Sequence, residues 1–198
     1  MLSHERLQNN IDAIAAIERD RIEGDVVEIG VWKGGSMLAM MKAHEYLKTS
    51  PRNFYLYDTF EGMTPEGPHD VDFRGRSATS QLHHPEIHCT VRLDEVKHVI
   101  QTNCSISDTQ IHYQVGDIMN NTIIPERIAC LRLDTDWYES TRHELETFYP
   151  KVVSGGWVMI DDYGHWLGCK RAVDEFLTLH PNIKLIPIDY TGVYFVKP

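Results

Sequence analysis

Two short acidic stretches follow runs of strand-forming residues, and they carry the clearest chemical signal in this sequence. The stretch 134–136 (Asp-Thr-Asp) comes directly after the run 128–133, and the stretch 161–162 (Asp-Asp) comes after the run 155–160. In a parallel sheet, the ends of adjacent strands lie roughly 4.8 Å apart, at the carboxyl edge where open α/β sheets bind ligands. Carboxylates that close repel one another unless a cation, a shared proton or solvent offsets their charge.

A hard divalent cation such as Mg²⁺ suits these carboxylates best, because it prefers carboxylate oxygens as ligands. We therefore interpret Asp134, Asp161 and Asp162 as metal ligands. Asp136 is a candidate base for removing a substrate proton, or an acid behind the ligands, and His165 is a second candidate base. Helix capping is the alternative, since Asp136 and Asp162 each precede a predicted helix. Capping needs one acid at each helix start, however, and not two pairs.

A glycine-containing turn follows the first predicted strand. Gly30, Gly34 and Gly35 lie in the stretch 28–36, between that strand and the first long helix. Glycine in such a turn lets the backbone approach a ligand without a Cβ clash. The spacing departs from GxGxxG, with Trp32 in the middle. The pattern is weak by itself, and a turn that binds no ligand is as consistent with it.

Acids also end the next two predicted strands. Asp58 ends the second strand, where a carboxylate can accept hydrogen bonds from both ribose hydroxyls of a nucleoside-bearing cofactor. Asp117 ends the third strand, where a carboxylate can meet an adenine amino group. A solvated loop acid or a helix cap is the alternative for each. Together with the glycine turn, the two acids predict a nucleoside-shaped slot across the sheet.

The composition is that of an enzyme-sized globular domain. The chain has 198 residues, of which 42% are hydrophobic and 24% charged, and its formal net charge is −10. Such values are ordinary for a chain that buries a core, and the negative charge disfavours nucleic acid or an anionic membrane as the main partner. Neither a signal peptide nor a bilayer-spanning apolar stretch is visible, so we expect a cytoplasmic protein. The cysteines show no CxxC or zinc-finger spacing, which predicts free thiols.

The order of predicted elements indicates an α/β fold. A helix is expected over about 1–22, and strands and helices then alternate along the chain. Two closing strands, 183–188 and 193–196, are joined by a tight connection that predicts an antiparallel hairpin. This order predicts a mostly parallel sheet with one reversed strand. The polar, irregular stretch of about 59–90 predicts a mobile lid loop within a single domain over 1–198.

At these residues the chain resembles the macrocin O-methyltransferase family, whose members use S-adenosylmethionine to methylate sugar hydroxyls of natural products. The matching segments are 27–35 (VEIGVWKGG), 57–62 (YDTFEG), 133–141 (LDTDWYEST) and 155–165 (GGWVMIDDYGH). They span most of the chain, and the last two together are fairly specific. The resemblance implies a Rossmann-like class I methyltransferase fold with a seven-stranded, mostly parallel sheet.

The same resemblance implies roles for individual residues. Mg²⁺, or another hard divalent cation, would be held by Asp134, Asp161 and Asp162, with Asp136 as candidate base. The acceptor would be a small-molecule hydroxyl, expected on a sugar. As the net charge already indicates, no nucleic acid or membrane partner is expected; the oligomeric state is left open, a homodimer included. The candidate residues for binding S-adenosylmethionine are Glu28, Gly30, Val31, Trp32, Gly34, Ser36, Asp58, Thr59, Phe60 and Asp117.

Two other classes of function stay open on the sequence alone. A metal-dependent glycosyltransferase also uses an Asp-x-Asp after a strand to hold a metal and a sugar nucleotide, although the 161–162 pair and the glycine turn fit it less well. A nucleoside-binding module without catalysis is the second, and the four acids argue against it. The glycine spacing disfavours a nicotinamide dehydrogenase. Catechol-like hydroxyls that can approach a metal are also compatible acceptors.

Overall fold

The protein folds around a central β-sheet covered by helices on both faces. A computed structural model describes residues 2–47, 50–82 and 89–198. The strands are β1 (Asp25–Ile29), β2 (Phe54–Asp58), β3 (Ile111–Val115), β4 (Ile128–Leu133), β5 (Val152–Ile160), β6 (Ile186–Pro187) and β7 (Val193–Val196). The α-helices are α1 (His4–Arg19), α2 (Gly35–Leu47), α3 (Ala78–Leu82), α4 (Leu93–Asn103), α5 (Tyr138–Thr147) and α6 (Leu167–Leu179).

The strand order of the seven-stranded sheet is β3-β2-β1-β4-β5-β7-β6. The pairs among β1 to β5 are all parallel, and β7 runs antiparallel to both β5 and β6. The predicted mostly parallel sheet, with one reversed strand and an antiparallel C-terminal hairpin, is therefore confirmed. The order reverses between β1 and β4, which makes their carboxyl ends the switch point where open α/β sheets bind ligands.

Alternation along the strands builds a core on each side of the sheet. On one side, Leu131 and Leu133 of β4 belong to a buried cluster with side chains of α5 and α6. On the other side, Cys130 belongs to a cluster with side chains of α1, α2 and α4. Ile14 and Ile17 of α1 are fully buried in this second cluster, so the N-terminal helix is part of the core.

The first strand of the predicted C-terminal hairpin is wrong in its length. The sequence predicts a strand over 183–188, whereas β6 contains only Ile186 and Pro187. Proline has no N–H to donate to the ladder, and such residues are confined to edge positions like that of β6. Ile183 does not lie in the sheet and is instead buried in the core cluster that includes side chains of α5 and α6.

Two expectations from composition can be compared with the structure. The four cysteines are free thiols, as predicted, and Cys130 and Cys169 are buried. Within the described ranges, no helix has both the length and the apolar character that crossing a bilayer requires.

Candidate active site

The carboxyl ends of β4 and β5 bring the two acidic stretches together. Leu133 pairs with Ile160 in the parallel register, so Asp134 and Asp161 follow directly on neighbouring strands. One carboxylate oxygen each from Asp134, Asp161 and Asp162 lies within 4.8 Å of the other two, close enough to share a single ion. The residues that the sequence assigned as metal ligands are thus adjacent.

The carboxylates of this cluster are buried close together, and their mutual repulsion favours a positively charged partner. Burial and the charges of neighbouring carboxylates raise the pKa of Asp162 well above its usual range. Burial raises the pKa of Asp134 to about 6, although Arg132 opposes the shift. Burial, followed by the charge of Asp134, raises the pKa of Asp136 to about 7. A hard divalent cation would relieve this repulsion and prefers carboxylate ligands, so the residues present fit Mg²⁺.

A buried arginine supports the cluster from within the sheet. Arg132 of β4 lies opposite Glu28 of β1, and its side chain is 2% exposed. Its Nη1 donates to Glu28 Oε1 at 2.9 Å and to Asp134 Oδ2 at 2.7 Å, while its Nη2 donates to Asp161 Oδ1. Charged groups this deeply buried require partners, and the planar guanidinium serves three carboxylates at once. Arg132 therefore fixes Asp134 relative to Asp161.

A second guanidinium reaches the same carboxylate from the N-terminal helix. Arg6 of α1 donates through Nη1 to Asp161 Oδ2 and through Nε to Asp189 Oδ2, the latter at 2.9 Å. Asp189 lies between β6 and β7 and also accepts from Ser3 Oγ at 2.6 Å. Both oxygens of Asp161 are therefore bonded to arginine, one to Arg132 and the other to Arg6.

The two candidate bases lie beside this cluster. Asp136 has a left-handed backbone conformation with φ of 67°, a strained arrangement that in non-glycine residues is concentrated at functional sites. Trp166 Nε1 donates to Asp136 Oδ1 at 2.7 Å and orients the carboxylate. His165 Nδ1 is hydrogen-bonded to the hydroxyl of Tyr190, and burial lowers the pKa of His165. The neutral imidazole therefore predominates at neutral pH and can accept a proton.

The turn after β1 passes so close to the acidic cluster that only glycine fits. A Cβ on Gly30 would lie 2.0 Å from the carbonyl oxygen of Asp134, and the φ of Gly30 is +84°. By contrast, a Cβ on Gly35 at the start of α2 would meet nothing within 4 Å. The absence of a side chain at Gly30 thus allows the predicted cofactor turn to pack directly against the backbone of the predicted metal site.

Asp58 ties the same turn to the end of β2. Its Oδ2 accepts hydrogen bonds from the backbone N–H groups of Val31 and Trp32, each at 2.8 Å. Its Oδ1 accepts from the backbone N–H of Phe60, also at 2.8 Å. A carboxylate has acceptor capacity beyond these bonds, and the contact with ribose hydroxyls stays a prediction.

For Asp117 the sequence left open a helix cap or a contact with an adenine amino group, and its position is compatible with both. Its Oδ1 accepts from the backbone N–H of Met119 at 3.0 Å and so caps a short 3₁₀ helix, Ile118–Asn120. The same residue lines a cavity at the carboxyl ends of the strands, where a ligand could reach it. Capping therefore leaves room for the predicted adenine contact.

All these β-ends open onto one cavity of about 750 Å³. A cavity of this size is typical of a cofactor or small-molecule site. The predicted site residues that line it are Gly30, Trp32, Asp58, Thr59, Asp117, Asp134, Asp136, Asp161, Asp162 and His165. The predicted residues that do not line it, all of them buried, are Glu28, Val31, Gly34, Ser36 and Phe60.

The described part of the predicted lid loop is bonded to the helix that follows the acidic cluster. Asp70, which is 2% exposed, accepts from the backbone N–H of Tyr138 at 2.8 Å and from that of Gly67 at 2.6 Å. Residues 83–88 of the loop lie outside the described residues, and lid motion stays a prediction.

The helix-capping interpretation of the acidic stretches is wrong. Asp70, and not a residue of the acidic stretches, accepts the hydrogen bond from the first N–H of α5, and the N-terminus of α6 has no side-chain cap bond.

Comparison with known proteins identifies the family. The family model of macrocin-O-methyltransferase (TylF) matches residues 1–197. The chain belongs to this family. Demethyldecarbamoylnovobiocin O-methyltransferase of Streptomyces niveus is 32% identical over 203 residues, which cover 100% of this chain and 75% of that protein. Mycinamicin III 3''-O-methyltransferase of Micromonospora griseorubida is 31% identical over 206 residues, which cover 98% of this chain and 77% of that protein.

A solved structure agrees with this assignment to the TylF family. The O-methyltransferase NovP matches the fold with a TM-score of 0.85 at 31% identity, over 98% of this chain and 79% of NovP. The Rossmann-like methyltransferase fold that the resemblance implied is confirmed. The protein is an O-methyltransferase, and its methyl donor is S-adenosylmethionine.

Two site residues of this TylF-family chain were missed from the sequence. Arg132 interrupts an apolar strand, as Glu28 does, and a pair of buried charges on two adjacent parallel strands was a signal that the two side chains meet. Arg6 gave no such signal, because nothing in the pattern of α1 distinguishes it from an exposed helix arginine. Its partner Asp161 is 155 positions away in sequence.

Proposed function

We propose that this TylF-family protein methylates a hydroxyl of a sugar or a glycosylated natural product in a reaction that depends on Mg²⁺. The observation that carries this proposal is the cluster of Asp134, Asp161 and Asp162, which lies in the same cavity as the Gly30 turn. The acceptor class is supported by relatives whose names specify a novobiocin derivative, a rhamnosyl-tetracenomycin and a mycinamicin as substrates.

Each wall of the cavity has a proposed role. The Gly30 turn, Asp58 and Asp117 would bind the cofactor along the ends of β1, β2 and β3. Asp134 and the 161–162 pair would hold the cation at the ends of β4 and β5. When bound, the cation would polarise the acceptor hydroxyl and stabilise the negative charge that develops on its oxygen.

Asp136 is proposed to take the proton of the acceptor hydroxyl. A sugar hydroxyl is a weak nucleophile until that proton leaves, and a base is most effective when its pKa lies near the working pH. Burial and Asp134 raise the pKa of Asp136 to about 7, and the Trp166 hydrogen bond keeps one of its oxygens in place. His165 is the second candidate for this role.

His165 and Tyr190 line the cavity beside the acidic cluster, and we propose that they and the neighbouring Phe73 contact the acceptor. Phe73 is 46% exposed and Tyr190 is 62% exposed, with ring centroids 5.9 Å apart. The centroid of His165 lies 5.6 Å from that of Phe73. Exposed apolar patches next to a cavity mark binding sites, and aromatic rings with polar tips suit the mixed surface of a glycoside.

The test is methyl transfer to a panel of glycosides, measured by mass spectrometry of the acceptor and by release of S-adenosylhomocysteine. We expect product with Mg²⁺, loss of product with a chelator, and recovery when excess Mg²⁺ is restored. Full activity in the chelator would contradict the metal dependence. Methylation of simple catechols in preference to every glycoside would contradict the acceptor class.

A further inference from the structure

Two arginines share Asp161, and they differ in how freely each can leave it. Arg132 contacts one oxygen from inside the sheet, and Arg6 contacts the other oxygen from the cavity. The side chain of Arg132 is 2% exposed, whereas that of Arg6 is 14% exposed. A cation that enters through the cavity therefore meets the Arg6 side of Asp161 first.

Arg132 is a permanent partner of the cluster. Moving its guanidinium away would leave this buried cation without its partners, which are Asp134, Asp161 and the fully buried Glu28. An uncompensated buried charge is strongly destabilising. Arg132 therefore stays in place whether or not a metal is bound.

Arg6 has a second carboxylate partner, which can hold its side chain when the bond to Asp161 breaks. Its Nε is bonded to Asp189, and Ser3 links the start of α1 to the same carboxylate. A Cβ on Gly192 would lie 2.9 Å from Cδ of Arg6, so this glycine provides the space through which the side chain passes. Arg6 can release one carboxylate while the other keeps α1 attached.

We propose that Arg6 occupies the cation position on Asp161 in the metal-free protein and that the divalent metal displaces it. A guanidinium and a divalent cation on one partly buried carboxylate repel each other strongly. Arg6 thus partly neutralises the acidic cluster before the metal arrives and competes with the metal for the same oxygen. The inference rests on the proposed function, because it requires the metal site at Asp134, Asp161 and Asp162.

The test is calorimetric titration of Mg²⁺ into wild-type protein, Arg6→Gln and Lys33→Gln, all without S-adenosylmethionine. Lys33 lines the same cavity with its Nζ over the ring of Trp32, so its replacement removes a nearby positive charge without touching Asp161. We expect Arg6→Gln to bind Mg²⁺ about tenfold more tightly, roughly 1.4 kcal/mol, and Lys33→Gln to stay within about twofold of wild type.

A second measurement needs no stable Arg6→Gln protein. In wild-type protein, the guanidinium NMR signals of Arg6, assigned with the milder variant Arg6→Lys, should shift on addition of Mg²⁺ by more than those of Arg132, which keeps its hydrogen bonds to Asp134 and Asp161. Arg6 signals that do not move while Mg²⁺ binds would overturn the inference.

The outcomes separate this inference from the proposed function. Mg²⁺ binding of equal or lower affinity in Arg6→Gln would overturn the displacement and leave the metal site intact. An equal gain in Lys33→Gln would also overturn it, because the effect would then be one of general charge. No binding by any of the proteins would overturn the metal site and the inference together.

Discussion

The glycine turn offers the sharpest test of how the site is assembled, through the substitution Gly30→Ala. A Cβ at this position would lie 2.0 Å from the carbonyl oxygen of Asp134, and the φ of +84° is unfavourable for alanine. The backbone must therefore shift either the turn after β1 or the end of β4. Either movement separates the predicted cofactor turn from the acidic cluster.

The size of the effect follows from three terms. A left-handed backbone costs a residue with a Cβ about 1–2 kcal/mol, and forcing an extra carbon into a packed site costs about 1–3 kcal/mol. The lower entropy of the unfolded alanine chain offsets about 0.4–1 kcal/mol of this. We expect Gly30→Ala to lower the free energy of unfolding by about 2–4 kcal/mol, a large part of the stability of an ordinary domain.

Urea unfolding followed by circular dichroism measures this difference, and Gly35→Ala is the matched control. Gly35 lies in the same turn region, but a Cβ there meets nothing within 4 Å, so its substitution should change stability by less than about 1 kcal/mol. The unfolded-state term is the same for both variants and cancels in the comparison. Equal stabilities of the two variants would refute the close approach of Gly30 to Asp134.

Three further substitutions test the roles proposed in the site. Asp161→Ala should abolish Mg²⁺-stimulated turnover while the calorimetric affinity for S-adenosylmethionine stays within about threefold of the wild-type value. A loss of cofactor binding instead would contradict the assignment of this residue to the metal site. Asp136→Asn should lower kcat by about 10²–10⁴-fold and His165→Gln by less, and the reverse order would make the histidine the base. Asp70→Ala should lower stability by about 1–2 kcal/mol in urea unfolding, because the Tyr138 N–H loses its acceptor; an unchanged midpoint would show that water replaces it.

The parts of the site that were predictable are those encoded by strand ends. Each acidic stretch directly follows an apolar run, and parallel pairing of the two runs is enough to place Asp134 beside Asp161. The glycine turn and Asp58 follow the same logic on β1 and β2. Because the side-chain period and the strand order fix which residues reach the carboxyl edge, local pattern was sufficient there.

The parts that were missed depend on tertiary packing. The reach of Arg6 to Asp161 requires α1 to cross the sheet beside the C-terminal hairpin, which no local pattern specifies. The bonds of Asp58 to the backbone of the glycine turn were hidden for another reason. A carboxylate at a strand end can bond a ligand, the backbone or both, and the sequence signal is identical in each case.

The central claim is that the ends of β4 and β5 hold a divalent cation beside the methyl donor. Anomalous diffraction from crystals soaked with Mn²⁺ and S-adenosylhomocysteine tests it most directly, since Mn²⁺ shares the oxygen ligands of Mg²⁺. We expect one strong anomalous peak in contact with Asp134, Asp161 and Asp162, next to density for the cofactor along the Gly30 turn. Cofactor density with no peak among the three carboxylates would contradict the claim.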